Sequence, residues 1–358
     1  MSPDADSSIL ATLGPLIQTL RAGCVVKPED ELYALHSEPF AIQKQQNPQV
    51  VLVPESTDEL AAILRFLYAS DLDFAIRGHG FKSPSAKHVV VSTMSFNDLE
   101  YDPVKKIATV GASATWSEVV AYMDKVDPEY SVPVARTPAI GVAGAILNGG
   151  LSWMSTEYGC ICDPINFLDA EVVKYDGSVV MASQEPELLW ALRGSGGGFG
   201  GNAAVFRGKM KTLYAPMAVA DLDRDILNRA VQFYDKLGEL DQSIQDISSI
   251  IFECLLVRPP LGGTAEIAWP RSPNLNHLLL LISSCPGDGS KEQEELLRKI
   301  SIDAPKEVLG DKLSEAEVNP AGLELEYHSV EAVYREHYEK LKALRSRYDP
   351  KSRFKSFF

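Results

Sequence analysis

The sequence predicts an α+β protein in which a larger domain of alternating strands and helices is followed by a smaller lobe with an antiparallel sheet and helices. Three observations predict it. Short apolar runs ended by proline or glycine alternate with capped amphipathic helices from residue 50 to about 212. Past Pro216 the runs SSIIFECLLV (248–257), TAEIAW (264–269) and HLLLLIS (277–283) stand between helical stretches, a pattern suited to an antiparallel sheet with helices on one side. The length of 358 residues also exceeds that of one ordinary domain, roughly 150 residues.

Taken in order, Ile9 to Leu20 reads as a short amphipathic helix followed by irregular chain. VVLVP (50–54) is a buried strand ended by proline, and Ser56-Thr57-Asp58-Glu59 caps a helix through Tyr68. FAIR (74–77), HVVVS (88–92) and IATVG (107–111) are further strands. Thr115-Trp116-Ser117-Glu118 caps the next helix. AEVVKY (170–175) and SVVMA (178–182) flank Asp176-Gly177, a two-residue hairpin signal. A short helix over Glu187–Leu192 precedes RGSGGGFGG (193–201) and a strand near AVFRGKM (204–210). A helix over 222–240, an acidic helix over 290–300 and a charge-laced helix from Val330 to Arg347 complete the chain.

Composition narrows the function. With 45% apolar and 23% charged residues the chain is globular rather than disordered or fibrous. Its formal net charge of −15 repels nucleic acid and anionic lipid, so neither is expected as a partner. LLLLISSC (278–285) is far short of the ~18 apolar residues of a membrane span, and MSPDADSS lacks the basic start of a signal peptide. Five scattered cysteines do not make a disulfide framework, and a cytoplasmic location is expected. Cys160-x-Cys162 has the wrong spacing for a structural zinc pair, and no metal is expected. His277 and the cluster Glu292, Glu294 and Glu295 read as structural and solvated residues.

Three glycine-rich segments carry the chemical signal: IRGHGF (76–81), GVAGAILNGG (141–150) and RGSGGGFGG (193–201). Glycine admits positive φ and leaves no Cβ in the way, so successive amides form a concave anion site suited to a dinucleotide's diphosphate. Gly196-x-Gly198-x-x-Gly201 matches the Rossmann spacing, but it follows a helix and opens a strand, the reverse of the order that fingerprint requires.

With these segments in place, the stretch from Val50 to Leu213 resembles the FAD-binding domain of the vanillyl-alcohol-oxidase, or PCMH-type, family in its berberine-bridge-enzyme-like branch. The matching segments are VVLVPESTDELAAIL, FAIRGHGF, PAIGVAGAILNGGLSWMSTEYG, CDPINFLDAEVVKYDGSVV and ELLWALRGSGGGFGG. The tail VYREHYEKLKALRSRYDPKSRF (333–354) resembles the family's closing helix, which returns to the flavin domain. The resemblance implies an N-terminal extension (1–45), a two-subdomain FAD-binding domain (46–215), a shortened substrate lobe (216–325) and a C-terminal helix (326–358). It implies FAD as cofactor and places Arg77, Gly78, His79 and Gly80 in the pyrophosphate turn. Thr137, Gly141, Val142 and Gly144 fall in a second loop, and Gly149 and Gly150 in the turn after it. Tyr158, Gly159 and Asp163 match the next segment, Val172 the strand passing the adenine, and His337 and Tyr338 the helix near the isoalloxazine.

Departures from the pattern carry their own implication. The branch usually ends the pyrophosphate turn in a histidine bonded to the flavin, where this chain has Phe81. A second, cysteine anchor is replaced by Thr137. The resemblance with these changes implies non-covalent FAD, with His79 orienting its loop. Gly198 stands where the family often has asparagine. In the short lobe Glu326 and Tyr327 are the remaining candidates for base or hydrogen-bond donor, with Tyr338 beside them. Three readings follow: an oxidoreductase passing hydride from a small, secondary-metabolite substrate to flavin with oxygen as reoxidant, an isomerase or cyclase on the same fold, or a flavin-binding homologue without turnover.

Overall fold

A computed structural model of the chain describes residues 3–81, 85–195, 210–255, 259–318 and 329–355. Helix α1 (Pro3–Ile17) leads to β1 (Val25–Val26) and the short α2 (Tyr33–Ser37). Strands β2 (Val50–Leu52), β3 (Phe74–Arg77) and β4 (Val89–Ser92) flank α3 (Thr57–Ala69). The four strands form one sheet in the order β1-β2-β4-β3, with Val50 and Phe74 each in parallel register with Val89. These strands are unbroken apolar runs because both faces are covered. Ile63, Leu64 and Leu67 of α3 and Leu13 of α1 lie on one face, and a smaller cluster of Val51, Val53, Ala75 and Val90 on the other. The Ser56 hydroxyl accepts from the Glu59 amide at 3.2 Å and so starts α3 where the sequence places its cap.

Two antiparallel hairpins follow: β5 (Leu99–Asp102) with β6 (Ile107–Val110), and β7 (Glu171–Val173) with β8 (Val179–Met181). Between them lie α4 (Trp116–Val126), α5 (Val142–Leu147) and α6 (Ser155–Tyr158), and α7 (Pro186–Leu192) comes after β8. The β7–β8 turn holds three residues rather than two. Lys174 donates to the Ser178 carbonyl at 2.8 Å and Gly177, at φ +75°, donates to the Lys174 carbonyl at 2.9 Å, a type I turn closed by a left-handed glycine. GVAGAILNGG is likewise not all loop, since α5 forms from its Ala, Ile and Leu residues, good helix formers that outweigh a single interior glycine.

The second lobe is a four-stranded antiparallel sheet in the order β10-β11-β9-β12, built from β9 (Met210–Val219), β10 (Ser249–Glu253), β11 (His277–Pro286) and β12 (Glu317–Val318). Strand β9 runs straight through Pro216, so the change of texture there falls inside an element. Helices α8 (Arg224–Leu240) and α10 (Lys291–Leu309) cover one face, with the short α9 (Gln242–Gln245) between them in sequence. TAEIAW is not a strand. Gly263, at φ +86°, turns the chain into a 3-10 turn over Thr264–Glu266, and Ile267, Ala268 and Trp269 then run buried between the lobes.

The closing segment is two helices, α11 (Val330–Tyr334) and α12 (Tyr338–Tyr348), rather than one. Arg335 takes φ +38° between them, and its guanidinium reaches Glu317 and Ser272. Beyond α12 the chain returns to the first sheet. Asp349 accepts from the Tyr68 hydroxyl at 3.0 Å, Arg353 donates to the carbonyls of Leu67, Ser70 and Leu72, and the Phe354 ring meets Tyr68 and Phe74.

Candidate cofactor site

The uncovered face of the second sheet fronts the glycine segments of the first domain. Strand alternation sets which side chains face it: Tyr214, Ile282 and Ser249 form one cross-strand row, Pro216, Leu280 and Ile251 the next, and Ala218, Leu278 and Glu253 the third. The first two rows pack on Phe40 and Phe81, and the third joins a core of Ala135, Ile140, Leu151 and Trp269.

The turn after β3 presents main chain. Among the described residues the amides of Gly78, His79, Gly80 and Phe81 have no acceptor, while the Gly80 carbonyl accepts from Phe40 at 2.7 Å. Gly80 holds φ +76°, and a Cβ there would lie 2.6 Å from Nε of Arg77. Arg77 itself points away from this concavity. Its buried guanidinium donates to the carbonyls of Leu35 at 3.1 Å and Glu38 at 2.6 Å, so its role is to fix the turn from behind. The Phe81 ring stacks on Phe40 at 5.7 Å.

The second segment meets the first at His79. A Cβ on Gly141 would lie 2.9 Å from the His79 Nδ1, which is buried and has no hydrogen-bond partner among the described residues. Burial holds the imidazole below its ordinary value, with Glu118 opposing, so the ring is neutral near pH 7. The amides of Val142 and Ala143 are already taken by the carbonyls of Ala114 and Ala112. Gly144, by contrast, faces open space: nothing lies within 4 Å of where its Cβ would be. Asn148 is fully buried and donates to the Gly144 carbonyl at 2.5 Å, with its Oδ1 unpartnered. Thr137 is half-buried, and its carbonyl accepts from Ile140 at 3.4 Å.

Gly149 (φ +94°) and Gly150 (φ +63°) bring the chain against Trp269 and Ile161, whose atoms would lie 2.8 and 2.5 Å from added Cβ atoms. Tyr158 is exposed, and Gly159 turns at φ +77° over the Asp163 carboxylate. Asp163 is buried. It accepts from the Cys160 amide at 2.9 Å and from the Arg271 guanidinium at 2.6 Å, so its carboxylate organises the loop and joins it to the second lobe. The thiols of Cys160 and Cys162 stand beside this pair, and burial pushes Cys160 up to about 12 and Cys162 well above its ordinary value, which keeps both neutral.

A second buried ion pair joins the lobes. Arg136, one residue before Thr137, meets Glu253 at the end of β10, with side chains 10% and 2% exposed. Burial pulls the Arg136 guanidinium down to about 10. His337 lies close to Ala268, its Nδ1 3.2 Å from that carbonyl, and its ring stands edge-on to Trp190 at 5.2 Å. Tyr338 packs in the same small cluster with Trp190 and Tyr334. Val172 is half-buried on β7. Glu326, Tyr327 and the 196–201 glycine run lie outside the described residues. Arg136, Glu253, Trp269 and Arg271 are the site residues that sequence reasoning missed. The available signals were a lone carboxylate in the apolar run SSIIFECLLV and a Trp-Pro-Arg triplet in an otherwise plain segment.

The unclaimed amides of the first turn suit an anionic group. The arrangement offers these amides at 78–81, the orphaned polar atoms of His79, Asn148 and Trp116, and an open glycine face at Gly144. Residues 48–183 match the FAD binding domain family. That stretch is similar to an FAD binding domain. Its relatives include a berberine bridge enzyme-like protein of Nicotiana tabacum, 26% identical over 196 residues, covering 52% of this chain and 34% of that protein. A FAD-dependent monooxygenase of Penicillium roqueforti is 31% identical over 190 residues, covering 51% and 35%. The match thus spans about a third of the length of these relatives. In fold the chain is similar to a xylooligosaccharide oxidase from Myceliophthora thermophila in complex with xylobiose, with a TM-score of 0.76, 14% identity and 98% of both chains covered. It is also similar to the berberine bridge enzyme from Eschscholzia californica, with a TM-score of 0.69, 12% identity and 97% of both chains covered. The matched stretch contributes β2, β3 and β4 of the first sheet, the two hairpins and the first two glycine segments, with the second lobe facing the turns.

Proposed function

We propose that the chain is an FAD-dependent oxidoreductase that oxidises a small organic molecule, with the flavin held non-covalently. The observation that carries the reading is the row of unclaimed amides at 78–81, inside the FAD binding domain and against His79 and Gly141. These amides would hold the diphosphate, and Gly144 would let the cofactor lie against α5 without a side chain between. When bound, the flavin supplies the electron acceptor, and the protein binds, orients and tunes it.

Phe81 and Thr137 support the non-covalent form. The Phe81 ring is packed on Phe40, and neither side chain is a nucleophile that could bond the ring. Glu253, on the sheet face that fronts the FAD domain and ion-paired with Arg136, is the carboxylate best placed to take a proton from substrate. The names of the relatives and fold neighbours, oxidases and monooxygenases, support redox chemistry and lend nothing to the isomerase alternative. The five free cysteines suit a reducing, cytoplasmic setting, and molecular oxygen would be the reoxidant.

The test is spectroscopic. Purified or FAD-reconstituted protein should absorb near ~370 and ~450 nm as a bound flavin does, and acid precipitation should leave a white pellet and a yellow supernatant. Colour retained in the pellet would overturn the non-covalent form, and protein that stays colourless after reconstitution would overturn the reading as a whole.

A further inference from the structure

The second sheet ends in two unlike edges. On one side β12 holds only Glu317 and Val318, too short to template another strand. On the other side β10 runs for five residues, and among the described residues it pairs with β11 alone. Ser249, Ile250, Ile251 and Phe252 are all half-buried, whereas the neighbouring β11 is buried along nearly its whole length. Edge strands are normally blunted by lysine, proline, a bulge or a covering segment. β10 has no lysine or proline and pairs with β11 residue for residue without a bulge, and the charge of Glu253 is engaged by Arg136.

The helix above this edge extends the same surface. Helix α10 packs on β9 and β11, and α8 on β10. Lys236 pairs with Glu307 and Arg229 sits over Gly310, so these two residues mark the side of α8 that faces α10. At about 3.6 residues per turn, Leu227 and Val231 fall on the opposite side, beyond the strand edge. They are 41% and 61% exposed. Further along that side Tyr234 and Gly238 are covered by α9, where the Tyr234 hydroxyl donates to the Gln245 carbonyl at 3.0 Å and the Gln245 side chain closes on Gly238. An apolar strand edge and an apolar helix stripe thus stand open side by side.

We propose that this surface pairs with the same surface of a second copy, β10 against β10 about a two-fold axis, to give one sheet continuous across a homodimer. Two observations choose this occupant. An open strand edge presents main-chain donors and acceptors, so what covers it is another extended strand edge, and a second β10 is one. The chain carries a formal net charge of −15, so most faces of two copies repel, whereas Ser249 to Phe252 and the side chains of Leu227 and Val231 hold no charge. Antiparallel pairing that gives every β10 residue a partner allows one register: Ile251 opposite its own copy, Ile250 opposite Phe252 and Ser249 opposite Glu253. Ile250 and Phe252, which pack beneath the helices, then meet on one face, and the two Ile251 side chains meet on the other. The pairing also braces the strand that ends in Glu253.

The test reads the oligomeric state of the full chain and then the register. Sedimentation velocity over about 1–100 μM, the span of moderate protein affinities, should show a species of twice the chain's mass. Val231→Asp, at an exposed position, and Ile250→Lys should each weaken that species by about tenfold or more, because each desolvates a charge in the contact. Mild oxidation reads the register. Ile251→Cys sets two thiols directly opposite, with Cα atoms about 4.5–5.5 Å apart and within disulfide reach, and should give a disulfide-linked dimer. Ser249→Cys sets them four residues apart along the strands, about 14 Å, and should not. The wild-type Cys254, about 20 Å from its copy, should not either. A wild type that stays monomeric over that range would overturn the proposal, and slow hydrogen exchange at residues 250–252 in such a monomer would show that the chain covers its own edge. A dimer left intact by both Val231→Asp and Ile250→Lys would overturn it too, as would one that crosslinks through Ser249→Cys and not through Ile251→Cys.

Discussion

The two surfaces that face each other at the site are built by opposite means. The stretch that matches the FAD binding domain presents backbone: the bare amides of 78–81 and the open face of Gly144, with the neighbouring Arg77 turned away to hold the carbonyls of Leu35 and Glu38. The second lobe presents side chains: Glu253 at the end of β10, Trp269 against two glycines and Arg271 locked to Asp163. Backbone recognition is tolerant of side-chain change and suits a cofactor whose shape does not vary. Side-chain recognition can be retuned one residue at a time and suits whatever distinguishes this protein from its relatives.

The sharpest way to break that contrast is at the more deeply buried of the two ion pairs that bond the surfaces. Asp163→Ala leaves the Arg271 guanidinium buried without a counter-ion, a change that costs about 3–5 kcal/mol when a buried pair loses one partner. Urea unfolding should show that loss, together with poor retention of flavin. Arg271→Met/Asp163→Asn should recover much of the stability, because the lone charge is gone. If the single variant were as stable as the wild type, the pair would not join the lobes in solution.

The backbone side predicts two glycine substitutions of opposite sign. Gly80→Ala forces a Cβ onto a residue at φ +76° and into the Arg77 guanidinium, which is held by two carbonyls and cannot yield. A loss of about 2 kcal/mol is expected, with weaker FAD binding. Gly144→Ala meets nothing and sits inside α5, so the apoprotein should gain about 0.5–1 kcal/mol. If the cofactor lies against that face, the same methyl should weaken FAD binding. Thermal melts of apoprotein and flavin-fluorescence titrations separate the two effects, and a Gly144→Ala protein with full FAD affinity would move the cofactor off α5.

The same contrast decides what could be read from the sequence. Elements set by local rules were legible: the Ser56 and Thr115 caps, the apolar runs of β2, β3 and β4, and the glycines that need positive φ at 80, 149 and 150. The turn holding the free amides was legible for the same reason, since glycine at a strand end is a local signal. What lay beyond reach depends on which distant side chains meet. Arg271 has no meaning until Asp163, 108 positions away in sequence, is found beside it. Glu253 reads as an anomaly in an apolar run until Arg136 arrives from the other lobe. TAEIAW alternates like a strand, but Gly263 and the tie between Ala268 and the Arg193 carbonyl at 2.8 Å draw it out of the sheet. The tail reads as one helix, and it breaks at Arg335, whose guanidinium pairs with Glu317 of the second sheet.

Protonation gives a smaller and more diffuse probe of the backbone side. His36 and His79 are both held below the ordinary value of 6.5, chiefly by burial, and both belong to the framework of the turn: His36 Nδ1 lies 2.9 Å from the Ser92 hydroxyl, and His79 abuts Gly141. A group with a depressed native pKa leaves the unfolded chain binding more protons as pH falls. Its stability contribution is therefore complete above about pH 6.5 and is lost on acidification below it, by at most about 1.4 kcal/mol per pH unit for each histidine. Urea midpoints at pH 7 and pH 5.5 should fall for the wild type, and the fall should shrink in His36→Gln and His79→Gln. An equal fall in both variants would show that neither histidine is buried neutral.

The smallest effect is expected where neither surface is involved. Thr115 starts α4 with a reciprocal cap: its hydroxyl accepts from the Glu118 amide at 3.3 Å, and the Glu118 carboxylate accepts from the Thr115 amide at 2.7 Å. The Ala114 carbonyl beside it helps hold α5 by accepting from the Val142 amide. Thr115→Ala should cost about 1 kcal/mol, the usual worth of such a cap, and leave FAD affinity unchanged, because the 78–81 amides do not depend on it. Weaker FAD binding in this variant would mean that the cofactor surface extends from the β3 turn onto the start of α4, and that the backbone half of the site is larger than the free amides mark out.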